Sequence, residues 1–209
     1  MGEFILNVEI DDIMMPYLKQ TGNMYNLCVA KKVGTDYNVV WSGNTQYLAK
    51  NKFQFEEQYQ VFGGNKFGSG ALVEAQTKPV NIAFGEVAVL QDTGVFQPAK
   101  DADNKKELVD SATFAVNNDY QAICIGVNGK INGKFLPIYL SRQLVTGSIE
   151  LQPKVEVMVW FSNKEQTSSM IMKAAALSTT VDFTGHTTRT IRYTQADPDH
   201  PGKGKWIKL

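Results

Sequence analysis

Apolar residues occupy alternate positions along much of this chain. Phe4, Leu6, Val8 and Ile10 share one parity near the amino terminus, and the same period of two returns over residues 155–159. Alternation of this kind is typical of strands with one buried and one exposed face. Turns rich in glycine and asparagine, which suit tight hairpins, separate these stretches. The pattern predicts an all-β fold, specifically an antiparallel β-sandwich.

The second half of the chain repeats the apolar pattern of the first. A shift of 99 residues places Phe62 on Phe161 and Phe84 on Phe183. Self-similarity of this kind indicates repeated structural units. We therefore predict an internally duplicated sandwich of two pseudo-equivalent units. The predicted boundaries are a first repeat at 1–97, a charged connection at 98–109, and a second repeat at 110–209 with an irregular carboxyl-terminal tail.

Composition narrows the classes of partner. The 209 residues contain 21 Lys plus Arg and 21 Asp plus Glu, so the formal net charge is zero. Non-specific nucleic-acid binding is driven by basic surfaces, and recruitment to anionic membranes also needs positive charge. We expect no nucleic-acid partner and no recruitment to a membrane by net charge, whereas a homo-oligomer stays open. The acidic amino terminus does not resemble a secretory signal, so a cytoplasmic location is expected.

Residue types that hold metals or cofactors are sparse. His186 and His200 lack further ligands at zinc-site spacing, and the glycine-rich stretch 63–70 lacks the Lys-Ser/Thr ending of a phosphate loop. We expect no metal and no cofactor. Cys28 and Cys124 occupy matching positions in apolar stretches of the two repeats. The interpretation we favour is two buried free cysteines.

Aromatic and amide side chains provide the positive signal for function. Flat rings can stack on the C–H faces of a sugar, and amides both donate to and accept from its hydroxyl groups. We expect Trp41 and Tyr47 to stack on a ligand, although aromatic residues in strands more often belong to the core. The full set of candidate binding residues is Trp41, Asn44, Gln46, Tyr47, Tyr59, Asn65, Tyr139 and Arg142. The leading hypothesis is a lectin-like protein that binds a neutral carbohydrate or a similar small molecule.

Two other functions stay open at this point. A cofactor-independent cyclase or isomerase can orient a substrate in an aromatic-lined cavity, and it leaves no sequence motif. A closed cavity with a buried acid, such as Asp182, favours that enzyme, whereas a solvent-facing groove favours the binding protein. The third hypothesis is a membrane-active protein that uses aromatic residues at the bilayer interface.

Strand patterns at three places carry a resemblance to a known group of proteins. They are YNLCVAKKV at 25–33, YNVVW at 37–41 and YQVF at 59–62. Here the chain resembles small cytosolic β-rich proteins of fungi, most of which lack an assigned function. The resemblance implies a β-sandwich and a lectin-like or defence role. It transfers no functional residue.

Overall fold

The computed structural model describes residues 2–22, 24–103, 112–172 and 177–209. A 3-10 turn at Asp12–Met14 leads into α1 at Met15–Leu18. The strands of the described residues are β1 (Glu3–Ile10), β2 (Asn26–Val33), β3 (Ser42–Asn44), β4 (Lys50–Gly64), β5 (Val80–Ile82), β6 (Glu86–Leu90), β7 (Lys100–Asp101), β8 (Phe114–Ile131), β9 (Lys134–Leu140), β10 (Val145–Leu151), β11 (Pro153–Ser162), β12 (Thr179–Asp182), β13 (Thr188–Gln195) and β14 (Gly204–Lys208).

These strands form two sheets that pack on one another. The larger sheet has the order β14-β13-β1-β4-β8-β6-β7, and β5, β9 and β10 branch from it. The smaller sheet has the order β12-β11-β2-β3. Within the described residues, β1–β13 and β6–β8 are the parallel strand pairs, and the other pairs are antiparallel. The predicted all-β sandwich is confirmed.

The main core lies between the two sheets. Along β1 the side chains of Leu6, Val8 and Ile10 are buried while their neighbours are partly exposed. Val29 on β2 and Val159 on β11 belong to the same buried cluster, so both sheets contribute to it. Burying such side chains is the principal favourable term in folding, and alternation places them all on one face.

Strands from the two halves of the chain are interleaved. In the large sheet β4 pairs with β8, and in the small sheet β11 pairs with β2. The halves therefore form one continuous sandwich in which each sheet contains strands from both. The internal duplication stays a prediction. Because each sheet contains strands of both halves, the two predicted repeats would have to exchange strands. Half of the predicted connection at 98–109, residues 104–109, lies outside the described residues. Within the described half, β7 pairs with β6.

Each sheet contains a bulge, and residues of both bulges line the same cleft. In β4, Glu56 pairs with Lys130 and Tyr59 with Gly129, so β4 accommodates two extra residues at 57 and 58. In β11, Pro153 pairs with Val33 and Val157 with Lys31, which again leaves two extra residues on one side. Bulges bend a strand and redirect side chains, and they are enriched beside active sites.

The structure also shows the state of the two cysteines. Cys28 and Cys124 are free and buried, as predicted, and they lie on different sheets. Burial raises the pKa of the Cys28 thiol to about 12.

The carboxyl-terminal strand β14 pairs with β13, and the Trp206 ring stacks on Phe161. No helix within the described ranges has the length and apolar character needed to cross a bilayer.

Candidate functional site

A lysine occupies an inward-facing position of the small sheet. Leu27, Val29 and Val33 lie at alternate positions of β2 and join the main core. Lys31 has the same parity and is completely buried, with 0% of its surface exposed. Lysine is almost never fully buried unless it is paired, because removing an ammonium group from water is costly. This residue therefore requires an explanation.

Aromatic rings surround the Lys31 amine. Its Nζ lies 4.7 Å from the ring centre of Phe55, on the opposite sheet, and 5.6 Å from that of Trp41. Within the described residues, this Nζ has no hydrogen-bond partner. Burial lowers the pKa of the ammonium from 10.5 to about 7, and the negative charge of Glu57 partly opposes that shift. The amine is thus neutral in a large fraction of molecules near neutral pH.

A second buried polar atom is also left without a partner. The hydroxyl of Tyr59, on β4, has no hydrogen-bond partner in the part of the chain that the structure describes. The Tyr59 ring packs 5.4 Å from Phe84 and 5.7 Å from Phe114, measured between ring centres. Burial, followed by the charge of Glu57, raises the pKa of the Tyr59 hydroxyl. Its proton therefore stays in place at physiological pH.

Glu57 connects both groups to the surface. It lies in the bulge of β4, and its charge acts on Lys31 and on Tyr59. It lines a cleft of about 430 Å³ together with Phe84 and with the bulged segment 153–156 of β11. Glu57 and Tyr59 both line a second cleft, of about 720 Å³. We call Lys31, Glu57 and Tyr59 the inter-sheet triad.

Other acids at the rim of the 430 Å³ cleft already have partners. Burial alone would raise the pKa of Glu156, but hydrogen bonds from Tyr37 and Lys32 lower it. Hydrogen bonds from the backbone and hydroxyl of Thr184 lower the pKa of Asp182. Asp182 is exposed on the edge strand β12, so it is not the buried acid that would have favoured the enzyme hypothesis.

The two aromatic residues expected to stack on a sugar belong to the core. Trp41 is 0% exposed, and its indole nitrogen donates to the carbonyl of Gly129 at 3.1 Å. Tyr47 is buried, and its hydroxyl donates to the carbonyl of Leu18 at 3.2 Å. In this structure protein atoms cover the faces that a ligand from solvent would need.

The predicted amide residues stabilise turns. The side-chain oxygen of Asn44 accepts from the backbone nitrogen of Gln46 at 3.0 Å, which closes the turn after β3. Asn65 donates to the carbonyl of Leu72 and accepts from the backbone nitrogen of Glu74. Asn44 and Gln46 are exposed, and neither they nor Asn65 line the two clefts described above.

Two other predicted residues do lie together. Tyr139 and Arg142 line a groove of about 500 Å³, which Asp36 and Gln143 also line. Arg142 forms an ion pair with Asp36 at 3.4 Å, and its guanidinium carbon lies 5.1 Å from the ring centre of Phe67. Tyr139 is half-buried, with its pKa raised chiefly by burial. We call this site the Tyr139–Arg142 groove.

Sequence reasoning named Tyr59 but missed the other two members of the inter-sheet triad. A signal was available in each strand. Lys31 interrupts the apolar row of β2, and Glu57 interrupts the row that contains Phe53, Phe55 and Tyr59. A charged residue at an inward-facing position indicates either that the strand register has been assigned wrongly or that the residue belongs to a functional site.

The candidate site has no metal-binding character. Within the described residues, no group of three or more His, Cys, Asp or Glu side chains is arranged to hold a metal ion.

We compared the chain with family models, with curated proteins and with solved structures, and none of the three comparisons finds a match.

Proposed function

We propose that this protein is a cofactor-independent enzyme that binds a small organic molecule between the sheets and acts on it with the inter-sheet triad. One observation carries the proposal: the Lys31 amine and the Tyr59 hydroxyl are buried without hydrogen-bond partners in the described structure. Leaving a buried polar group unsatisfied costs about 1–3 kcal/mol. Such a cost is expected where the missing partner is a ligand.

The chemistry of the three groups supports acid–base work on that ligand. A lysine with a pKa near 7 takes up and releases a proton at physiological pH, which suits general catalysis. Tyr59 keeps its proton and offers it as a hydrogen bond to a developing oxyanion. Glu57 supplies a carboxylate where the clefts meet the core. The aromatic walls exclude water, so each electrostatic interaction there is strengthened.

Size and lining narrow the substrate class. The 430 Å³ and 720 Å³ clefts lie within the range of about 300–1,000 Å³ usual for small-molecule sites. A ligand that satisfies both orphan groups needs an oxygen atom next to an apolar body. Small cyclic or aromatic ketones, enols and aldehydes have this character.

Proton exchange offers a direct test of this function. Small ketones from a fragment set are incubated with the protein in D₂O, and loss of the C–H signal next to the carbonyl is followed by NMR. We expect accelerated exchange for at least one ketone, abolished in Lys31→Met and reduced in Tyr59→Phe. Lys32→Met is the matched control and keeps full exchange, because Lys32 pairs with Glu156 at 2.9 Å. If the wild-type protein accelerates exchange for none of the ketones, the proposal fails.

The Tyr139–Arg142 groove supports binding of a neutral carbohydrate as a second candidate function. It brings two of the predicted residues together, and it adds Gln143 and Asp36 as hydrogen-bonding groups. Arginine, amide and carboxylate groups beside a partly exposed ring are the elements that sugar recognition uses. A glycan array with Arg142→Ala as control tests it: binding by the wild-type protein alone supports the groove, and an array without signal removes it.

A further inference from the structure

We propose that Lys31 is a nucleophilic amine that forms a Schiff base with the carbonyl carbon of a small aldehyde or ketone held beside Glu57 and Tyr59. This inference rests on the function proposed above and assigns its reaction class. Its basis is the placement of Lys31: an unpaired primary amine, fully buried between two aromatic rings. Its strand partner Val157 directly follows the bulged segment 153–156 that lines the cleft of about 430 Å³.

Burial prepares the amine for attack on a carbonyl. A lysine ammonium has no free electron pair, so only the neutral form is a nucleophile. Desolvation in an apolar pocket favours this neutral form, and reactive Schiff-base lysines arise in this way. Since no hydrogen bond within the described structure holds the Lys31 Nζ, its electron pair is available to a bound carbonyl.

The step balances without an oxidant or a reductant. The nitrogen electron pair of Lys31 forms a bond to the carbonyl carbon while the C=O π electrons move to oxygen. One N–H proton transfers to that oxygen and gives a carbinolamine. The C–O bond then breaks, the second N–H proton leaves with the oxygen as water, and a C=N bond remains. Amine and carbonyl thus yield one imine and one water.

Each neighbour of Lys31 has a role in these reaction steps. The Tyr59 hydroxyl, still protonated, donates a hydrogen bond to the carbonyl or carbinolamine oxygen. Glu57 accepts and returns the proton that passes from nitrogen to oxygen. The rings of Phe55 and Trp41 face the nitrogen and stabilise a protonated imine by cation–π attraction, as they do the ammonium.

The two bulges mark the route by which a carbonyl compound would approach the buried amine. Lys31 lines neither cleft and is covered by protein, so in this proposal the compound displaces the residues between the cleft and the amine. β11 departs from β2 directly after the Val157–Lys31 pair, and β4 departs from β8 at Glu57. The cleft of about 430 Å³ opens between these two departures. Entry therefore passes Glu57 and the bulged segment 153–156.

A purely structural lysine would behave differently. It would stay shielded from reagents, and any aldehyde would first modify more accessible lysines, such as the partly exposed Lys32. A Schiff-base lysine reacts before them, because at pH 7 its neutral fraction exceeds that of an ordinary lysine by about three orders of magnitude. Lower intrinsic nucleophilicity offsets part of this advantage. We expect at least about a tenfold preference for Lys31 over Lys32.

The test is reductive trapping on the full chain. Cinnamaldehyde and cyclohexanone are each incubated with the protein at pH 7 with sodium cyanoborohydride, and the adduct is located by peptide mass spectrometry. We expect one adduct on Lys31, absent in Lys31→Met and unchanged in Lys32→Met. Mapping on the wild-type protein needs no variant, so the test stands even if Lys31→Met does not fold.

A parallel measurement separates failure of this inference from failure of the proposed function. Cinnamyl alcohol and cyclohexanol lack the carbonyl group but keep the shape of the probes, and their binding is followed by chemical shifts of residues 57, 84 and 154–156. Binding of the alcohols without an adduct on Lys31 overturns the Schiff base and leaves the cleft as a site. Absence of both binding and adduct overturns both proposals.

Discussion

Replacing Lys31 with methionine gives the sharpest test of the buried amine. Methionine has a similar length and volume, has no charge and fits irregular apolar surroundings. The substitution removes the ammonium from between Phe55 and Trp41 and leaves the aromatic walls in place. Comparing the two proteins at several pH values therefore isolates the ionisation of one side chain.

The magnitude follows from the pKa of Lys31 in the two states. Folding lowers this pKa from 10.5 to about 7, so between these values the unfolded chain binds a proton that the folded chain does not. The free energy of unfolding of the wild-type protein must therefore rise with pH in this window. A pKa difference of one corresponds to about 1.4 kcal/mol, which gives a full effect of about 5 kcal/mol. Between pH 6 and pH 9 we expect about 2–3 kcal/mol of it.

The charged groups near Lys31 do not alter the direction of this effect. Glu57, from β4, faces it and raises its pKa, which is already contained in the value of about 7. Lys32, next to Lys31 on β2, pairs with Glu156 of β11, and Thr184 holds Asp182. All of these groups are present in both proteins, so the comparison isolates the loss of the Lys31 amine.

Urea unfolding followed by tryptophan fluorescence provides the measurement, because Trp41 and Trp160 are fully buried and report loss of the core. We expect Lys31→Met to be the more stable protein at pH 6, by a margin that shrinks by about 2–3 kcal/mol at pH 9. Lys32→Met is the control, and its difference from wild type should vary by less than about 1 kcal/mol, as for a partly exposed ion pair. Parallel stability curves for the wild-type protein and Lys31→Met would refute the buried, proton-releasing amine.

Four further changes test the remaining assignments. Tyr59→Phe removes a hydroxyl without a partner and should raise the free energy of unfolding by about 1 kcal/mol in urea, whereas a loss of stability would mean that the hydroxyl is satisfied. Glu57→Gln removes the charge that favours the Lys31 ammonium, so the half-point of Lys31 reductive methylation by formaldehyde, followed by mass spectrometry, should move to lower pH; an unchanged half-point would contradict the coupling. Trp41→Ala should cost about 3–5 kcal/mol in the same urea assay, since Trp41 fills the core, and a cost below about 1 kcal/mol would contradict that role. Arg142→Ala should abolish any glycan signal on an array while changing the urea midpoint little, because its ion pair is exposed.

Local patterning was enough to predict the fold class. The alternation in β1 could be recognised from four side chains, because a strand places every second residue on the same face. Burial of Cys28 and Cys124 could be predicted for the same reason, since each lies in an apolar strand. These are properties of a few consecutive residues, and such properties are encoded locally.

Pairing between distant strands decided which individual residues lie in the core and which lie in a groove. Trp41 looked like a ligand platform in the sequence, yet its indole donates to Gly129, 88 residues away in the chain. Which ring lies in the core and which lies in a groove depends on the pairing of β2 with β11 and β4 with β8, and no local pattern specifies that pairing. The same holds for Tyr139 and Arg142, which Asp36 joins from the other half of the chain.

The sequence by itself determined that this chain folds into β-strands and which residues of a few strands face inward. Only the tertiary structure decided that a lysine at one of those inward positions lies against Phe55 of the facing sheet, without a hydrogen-bond partner among the described residues. Strand periodicity is a local property of the backbone. The solvation of a charge depends on every group that packs around it, and those groups come from both sheets.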